Sequence, residues 1–342
     1  MGRVTQQDVA KAVGLTRATV SYVLGGRSED NAIPEATKAK ILEAARRMGY
    51  HANESARSLK TKQTLTLAMV VPDLENPFYP MQIKGAQRAA QDAGYRLIVV
   101  DSDGSGPGEL DFLQLALRHV VDGLLLSTLS LSASHLEEIL ALGIPCVGLD
   151  DSLLGADIDM VVTDQADAVS RMIGILTAQG HRRIGHLTGT LSSANGRIRR
   201  DAWQAALVRQ GLGYSTNWCI EGTFQGEGYG DAVVEWYQSF LADQRPTALF
   251  AANDLLALDA IRALRQAGIS VPRDLSVCGF DDIPAARYAF PSLTTIRIDN
   301  LGIGHEATRI LLDRIAGRLQ GDPVTRVFSA DLVVRESTEV PR

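Results

Sequence analysis

The sequence predicts a small all-α helix-turn-helix headpiece followed by a larger α/β body of two lobes. Two short helical segments of similar plan open the chain, TQQDVAKAV and TRATVSYVL. From Leu65 onward, apolar strand-like runs (LTLAMVV, RLIVV, VDGLLLS, IPCVGLD, RIGHLTG, ALFAAN and LSVCGF) alternate with amphipathic stretches. That alternation is the rhythm of parallel sheets in α/β layers. Charge divides the same way. Residues 1–62 hold 11 Lys/Arg against 6 Asp/Glu, a net +5, which leaves 23 against 34, or −11, for residues 63–342. A basic module joined to an acidic body points to a polyanion partner for the first part only.

The 342 residues suffice for two or three domains, and 45% apolar with 22% charged residues is ordinary for a globular protein. Cys146, Cys219 and Cys278 are far apart, with no Cys-x-x-Cys pair. Their spacing suggests neither a zinc site nor a disulfide framework, and small buried residues are the expectation. No stretch approaches the roughly 18 apolar residues of a membrane span, and no basic segment followed by an apolar run opens the chain. The expected location is the cytoplasm, with no membrane partner.

The first helix begins at Thr5. Thr5 with Asp8 three residues later forms a variant capping box, and Val4 and Val9 occupy the hydrophobic-staple positions. Val9, Ala10 and Val13 make the apolar face, and Gly14 ends it. Thr16 repeats the design, with Leu15 and Val20 as staple and Val20, Val23 and Leu24 inward. Two helices joined by a turn containing Gly form a helix-turn-helix, whose second helix enters the major groove. Its candidate base-reading residues are Thr16, Arg17 and Ala18, with Thr19, Ser21 and Tyr22 further along and Thr5 at the first cap. Arg17 suits a guanine edge and Ala18 a thymine methyl. A third helix follows from Pro34 to Gly49, with Ile41, Ala44, Ala45 and Met48 inward and Lys38, Lys40, Arg46 and Arg47 outside for phosphates. On these residues alone, an ordinary helical hairpin at the edge of another domain is the plainer alternative.

VTQQDVAKAVGLTRATVSYVLGG, followed by IPEATKAKILEAARRMGYHANESARSLKTKQT, resembles the headpiece and hinge of the LacI/GalR family of bacterial transcription regulators, nearly unbroken over about sixty residues. The resemblance implies three regions: a DNA-binding domain over 1–52, a hinge helix and linker over 53–63, and a two-lobed effector-binding and dimerisation domain over 64–342. In the hinge, Ser55 and Ala56 match DNA-contacting positions and Leu59 the residue that wedges into the minor groove. Eight residues are too few for an isolated helix to persist in water. The segment would therefore order only against DNA and a partner, and without the resemblance it reads as a flexible linker.

About 270 residues are generous for one sheet, so the body reads as two lobes. The resemblance implies a periplasmic-binding-protein-like core with three chain crossings, one lobe over about 64–164 and 297–325, the other over 165–296 plus the final strand. Ligands bind at the carboxyl ends of strands in such sheets, and polar residues fall there. Asp73, Asn76, Phe78 and Tyr79 follow the first strand, Asp150 follows IPCVGLD, Asn253 and Asp254 follow ALFAA, and Asp281 and Asp282 follow LSVCGF. Asn76, Phe78, Asp150, Arg197, Phe224, Asn253 and Asp281 match family positions lining the effector cleft, and Asp73 stands beside them. Carboxylates, amides and a guanidinium suit a polyhydroxylated ligand, with Phe78 and Phe224 stacking on a sugar face. For Asp254 and Asp282 a helix-capping role is the open alternative. Ile298 stands where some relatives carry a polar residue, and RRDAW replaces the commoner Gly before the aromatic.

The resulting expectation is a sequence-specific DNA-binding transcription regulator, a repressor, acting as a homodimer on a pseudopalindromic double-stranded operator under a carbohydrate-like effector. A periplasmic solute-binding protein accounts for the body but has no use for a helix-turn-helix. An enzyme is disfavoured by the lack of G-x-G-x-x-G after a strand, H-E-x-x-H, G-x-S-x-G or a P-loop. No catalytic residue, metal or cofactor is expected.

Overall fold

The computed structural model describes residues 4–25, 33–50, 63–102, 120–127, 133–141, 143–224 and 228–340. It divides into two compact units, Met1–Thr64 and Leu65–Arg342. The hinge residues Ser55, Ala56 and Leu59 lie outside the described residues.

The first unit is built from α1 (Gln6–Val13), α2 (Arg17–Leu24) and α3 (Glu35–Arg47). The capping box at Thr5 forms in both directions. The Thr5 hydroxyl accepts from the Asp8 amide at 3.3 Å, and the Asp8 carboxylate accepts the Thr5 amide at 2.9 Å. These orphan donors are otherwise left to solvent, and each such cap contributes about 1 kcal/mol. Hydrogen bonding from the Thr5 hydroxyl and amide holds the Asp8 carboxyl below its usual range. Gly14 closes α1 with φ 68°, a left-handed conformation that glycine takes without a Cβ penalty. Thr16 caps α2, accepting from the Thr19 amide at 3.1 Å. Val9, Val13, Val20, Val23, Ile41 and Ala45 are buried together, with Leu15, Leu24, Met48 and Tyr50 packed around them.

The second unit begins with β1 (Thr66–Val71), α4 (Tyr79–Asp92), β2 (Arg96–Asp101), β3 (Gly123–Leu126), α5 (Ala133–Ala141), β4 (Cys146–Gly148) and β5 (Asp159–Thr163). With β11 (Thr325–Phe328) these strands form a six-stranded sheet in the order β11-β5-β4-β3-β1-β2, every pair parallel. β1, β3 and β5 are almost continuously buried, as strands covered on both faces require. The order 2-1-3-4-5 places a topological switch point between β1 and β3, where a crevice opens at the carboxyl ends.

α6 (Gln165–Ala178) starts the second lobe, followed by β6 (Ile184–Leu187), α7 (Ala194–Arg209), β7 (Cys219–Ile220), α8 (Gly230–Gln238), β8 (Ala248–Ala251), α9 (Asp254–Gln266), β9 (Ser276–Cys278) and α10 (Pro284–Tyr288). Its four parallel strands take the order β7-β6-β8-β9, which repeats the switch point between β6 and β8. β10 (Thr295–Arg297) pairs antiparallel with β12 (Asp331–Val333), and between them α11 (Asn300–Ile315) and β11 return to the first lobe. The chain therefore crosses between lobes near 164–165, 298–300 and 328–331. The return runs three residues past the expected 325, because Thr325–Phe328 pairs in register with Met160–Thr163.

α4 and α11 approach closely where each carries a glycine. A Cβ on Gly85 would lie 2.0 Å from the Leu301 carbonyl oxygen, and one on Gly304 would lie 2.0 Å from that of Gln82. This crossing fixes Gln82 and Asn300 beside one another under the crevice.

Candidate functional site: a polar cleft between the lobes and a recognition helix

The carboxyl ends of both sheets face one pocket of about 640 Å³ including its open mouth. From the first lobe, Asn76, Phe78, Tyr79, Gln82 and Ser127 follow β1 and β3, and Asp150 and Asp151 follow β4. From the second lobe come Asn195 and Arg199 on α7, Phe224, Asn253 at the cap of α9, and Asp281 after β9. Ile298, Asn300 and Ile303 line it at the second crossing.

A hydrogen-bonded chain runs across the cleft. Asn195 Nδ2 donates to Asp150 Oδ2 at 2.7 Å, and Gln165 Nε2 donates to Asn195 Oδ1 at 2.8 Å and to the Asp151 carboxylate. Arg199 Nε donates to Gln165 Oε1 at 2.7 Å, and its Nη1 donates to the Ala252 carbonyl at 2.5 Å. The guanidinium lies 3.7 Å over the Phe280 ring, so its face and two of its nitrogens are occupied. Arg199 is 5% exposed, which makes these contacts the replacement for its lost hydration.

Asp281 is held differently. Its Oδ1 lies 3.9 Å from Arg199 Nη2 and has no hydrogen-bond partner within the protein. Burial, partly offset by Arg199, pushes its carboxyl up to about 7. Its backbone adopts φ 116°, where a non-glycine residue is strained. Burial likewise raises Asp151 to about 6, against the hydrogen bond from Gln165, and raises Asp150. Asn253 is fixed twice, its Oδ1 accepting the Leu256 amide and its Nδ2 donating to the Phe224 carbonyl, both at 2.9 Å. Asn253 thereby caps α9 and anchors Phe224 at once.

The pocket thus gathers Asn76, Phe78, Asp150, Phe224, Asn253 and Asp281. It does not gather Arg197 or Asp73. The exposed Arg197 donates to the carbonyls of Leu191 and Ser192, at 3.1 and 2.7 Å, on the far side of α7. Two residues along a helix are about 200° apart, so Arg199 takes the inward position instead. The signal is present in the sequence: Asn195, Arg199, Ala202, Trp203 and Ala206 follow helical spacing, and the last three are apolar. Asp73 closes a turn, its Oδ1 accepting the Glu75 amide at 2.7 Å. Asp254 accepts the Ile283 amide at 2.9 Å and the Thr295 hydroxyl at 2.5 Å, and Asp282 pairs with Arg297 and Arg335. Both brace the second lobe outside the pocket. Gln165, Asn195 and Asn300 lack a sequence motif, since only the meeting of two lobes brings them together.

In the headpiece, Thr16, Arg17, Ala18, Ser21 and Tyr22 are exposed along one side of α2, while Thr19 is half-buried behind the cap. Thr5 is exposed at the start of α1. Arg46 and Arg47 are exposed in the last turn of α3. Lys38 pairs with Glu35 at 2.6 Å, and Lys40 donates to the Val13 carbonyl at 3.0 Å, capping the end of α1. Of the four residues expected to meet phosphates, Lys40 is drawn to α1 by the fold-back of α3 and Lys38 pairs within its own helix, while Arg46 and Arg47 stay exposed. Among the described residues no helix is long and apolar enough to cross a membrane, and no three metal-ligating side chains gather.

An exposed recognition helix in one unit and a polar cleft between two α/β lobes in the other define a ligand-responsive DNA-binding regulator. Residues 5–53 match the family described as bacterial regulatory proteins, lacI family, and residues 173–338 match a periplasmic binding protein-like domain. The chain is 32% identical over 357 residues to the HTH-type transcriptional repressor PurR of Photobacterium profundum, with 98% of each covered. Among solved structures, the lac repressor dimer bound to operator and the anti-inducer ONPF matches with TM-score 0.86 and 26% identity, covering 99% of this chain and 100% of that one. The transcriptional regulator CelR–cellobiose complex matches with TM-score 0.73 and 30% identity, covering 98% and 100%. The chain belongs to the lacI family of bacterial regulatory proteins.

Proposed function

We propose that the protein is a cytoplasmic transcription repressor, not an enzyme, that binds a pseudopalindromic operator as a homodimer and is controlled by a carbohydrate in the interlobe cleft. One observation supports the cleft assignment above others: Asp281 lines the pocket in a strained conformation, buried opposite Arg199 with a carboxylate oxygen that has no hydrogen-bond partner. Strain and an unsatisfied buried acceptor are costly, and they persist at binding sites because a ligand completes them. Phe78 and Phe224 offer apolar faces beside these polar groups, the mixture a sugar ring requires. The named complexes of the similar proteins support both halves of the reading, since one holds operator and anti-inducer as a dimer and the other holds cellobiose.

The exposure of Arg17, Ala18 and Tyr22 along α2 supports direct reading by these three, and that of Arg46 and Arg47 supports phosphate contact. Two copies are needed because a pseudopalindrome presents two half-sites related by a twofold axis. The solute-binding alternative leaves the whole of Met1–Thr64 without a role. A duplex selected by the protein from a random-sequence pool, followed in a mobility-shift titration with sugars added singly, tests the reading. Selection of a palindromic sequence whose binding responds to a sugar supports it, and recovery of no preferred sequence refutes it.

A further inference from the structure

Gly189 follows Thr188 just past the end of β6 in the second lobe, buried and outside the residues that line the cleft. Its φ lies outside the left-handed region, so its conformation does not demand glycine. The space around it does. A Cβ at this position would lie 2.3 Å from Cε1 and Cζ of Phe224 and 2.7 Å from its Cε2. The far end of that ring therefore rests on the backbone of Gly189.

Phe224 cannot withdraw as a whole. Two residues before it, Gly222 donates its amide to the Thr188 hydroxyl at 3.3 Å, and a Cβ on Gly222 would lie 2.7 Å from the Thr188 carbonyl oxygen. The Phe224 carbonyl accepts from Asn253 Nδ2 at 2.9 Å. With the backbone gripped on both sides, the ring is the part that can move, by turning about its side-chain bonds. Gly189 closes one side of the ring. The cleft opens on another, where Arg199 stands 5.4 Å from the ring centroid.

We propose that Gly189 is a positioning residue that sets the size of ligand the cleft admits: lacking a side chain, it lets Phe224 lie back against the second lobe, and a methyl group in its place would turn the ring into the cleft. The proposal rests on the cleft reading above and adds the element that fixes the width of that cleft. Gly189 acts only through Phe224. Interiors are packed too closely to absorb a methyl group that overlaps a ring, so the ring is displaced, and larger ligands are excluded before smaller ones.

The test uses the full chain with ribose, glucose and cellobiose, in thermal shift and calorimetry. It compares the parent with Gly189→Ala, Phe224→Leu, Phe78→Leu and the double variant Gly189→Ala/Phe224→Leu. Leucine lacks the three ring atoms that the methyl group would meet. Gly189→Ala should weaken the best-bound sugar about tenfold or more, and cellobiose more than ribose where both bind. In the Phe224→Leu background the same change should cost less than about threefold. A general loss of packing at Gly189 would persist in that background, so the rescue marks an effect carried by the ring. If Gly189→Ala alone fails to fold, the two leucine variants carry the comparison, and their Tm values should agree within about 2–4 °C. Loss of binding or of fold that persists in the leucine background overturns the proposal. So does a sugar weakened by either phenylalanine substitution yet indifferent to Gly189→Ala, and that result leaves the cleft reading standing. A sugar indifferent to both phenylalanine substitutions, or a panel in which nothing binds, overturns the cleft reading and this proposal with it.

Discussion

Arg199 and Asp281 face one another across 3.9 Å in the cleft, both buried, without a hydrogen bond between them. Arg199 Nε and Nη1 are engaged by Gln165 and the Ala252 carbonyl, which leaves Nη2 and the Asp281 carboxylate facing one another as the open groups of the pair.

Arg199→Ala should abolish the ligand response and lower stability by about 3–5 kcal/mol, because it leaves Asp281 buried without its counter-charge and strips Gln165 and the Ala252 carbonyl of a donor. Arg199→Lys should not restore the response, since an ammonium cannot reach three directions from one plane while stacking on Phe280. Arg197→Ala serves as the contrast, with stability within about 0.5 kcal/mol of the parent and the ligand response intact. Denaturant unfolding and ligand titration of the three variants check this.

Asp281 makes a contribution to stability of definite sign. Its folded value of about 7 exceeds its unfolded value of 3.8, so between about pH 4 and 7 the folded state binds the extra proton. Stability from this group therefore falls as pH rises through that window, is fully penalised above it, and is unaffected below it. Burial lowers His186 to about 4, which acts in the opposite direction, costing stability as pH falls from about 6.5 toward 4. The clean measurement is accordingly the difference between parent and Asp281→Asn. The variant should gain on the parent by a few kcal/mol as pH rises from about 4 to 8 without ligand. A difference that stays flat would mean that the carboxyl is solvated or paired.

Gly85→Ala and Gly304→Ala each place a methyl group 2.0 Å from a backbone oxygen of the opposite helix. Backbone cannot rotate away as a side chain can, so each should cost about 1–3 kcal/mol or more. Because Gln82 and Asn300 are positioned by that crossing, ligand affinity should fall in whichever variant still folds. Unchanged affinity would show that the crossing does not set the geometry of the pocket.

On the DNA side, Arg17→Ala should weaken binding to the selected duplex by about 1–3 kcal/mol and relax preference at one base pair per half-site. Arg46→Ala and Arg47→Ala should weaken all sequences alike and reduce the salt slope by about 1 each. Thr16→Ala removes the cap of α2 and should cost about 1 kcal/mol of stability before any DNA is added.

Much of the fold is legible in residues that act locally. Thr5 with Asp8, Gly14 and Thr16 carry cap chemistry in the residues themselves, and all three form the predicted caps. The strand runs are legible because parallel strands buried on both faces read as unbroken apolar segments. What depends on the meeting of distant segments is not. Lys40 reads in the sequence as a free charge, yet the fold-back of α3 carries it to the Val13 carbonyl, 27 residues away in sequence. Arg197 is the arginine that the family loop points to, although the segment is the first turn of a helix and the helical period puts Arg199 inside. Gln82 and Asn300 lie 218 positions apart, and only the glycine-to-backbone contact of their helices makes them neighbours.

Coupling of the cleft to the operator is the central claim, and reciprocity tests it most directly. The measurement is the affinity for the selected duplex with and without the sugar giving the largest thermal shift, together with the affinity for that sugar with and without the duplex. Linkage requires the same factor in both directions, within about 1–3 kcal/mol of coupling, and Arg199→Ala should abolish it while DNA binding by the unliganded protein persists. A compound that binds in the cleft, is lost on Arg199→Ala, and yet leaves operator affinity unchanged would contradict the claim.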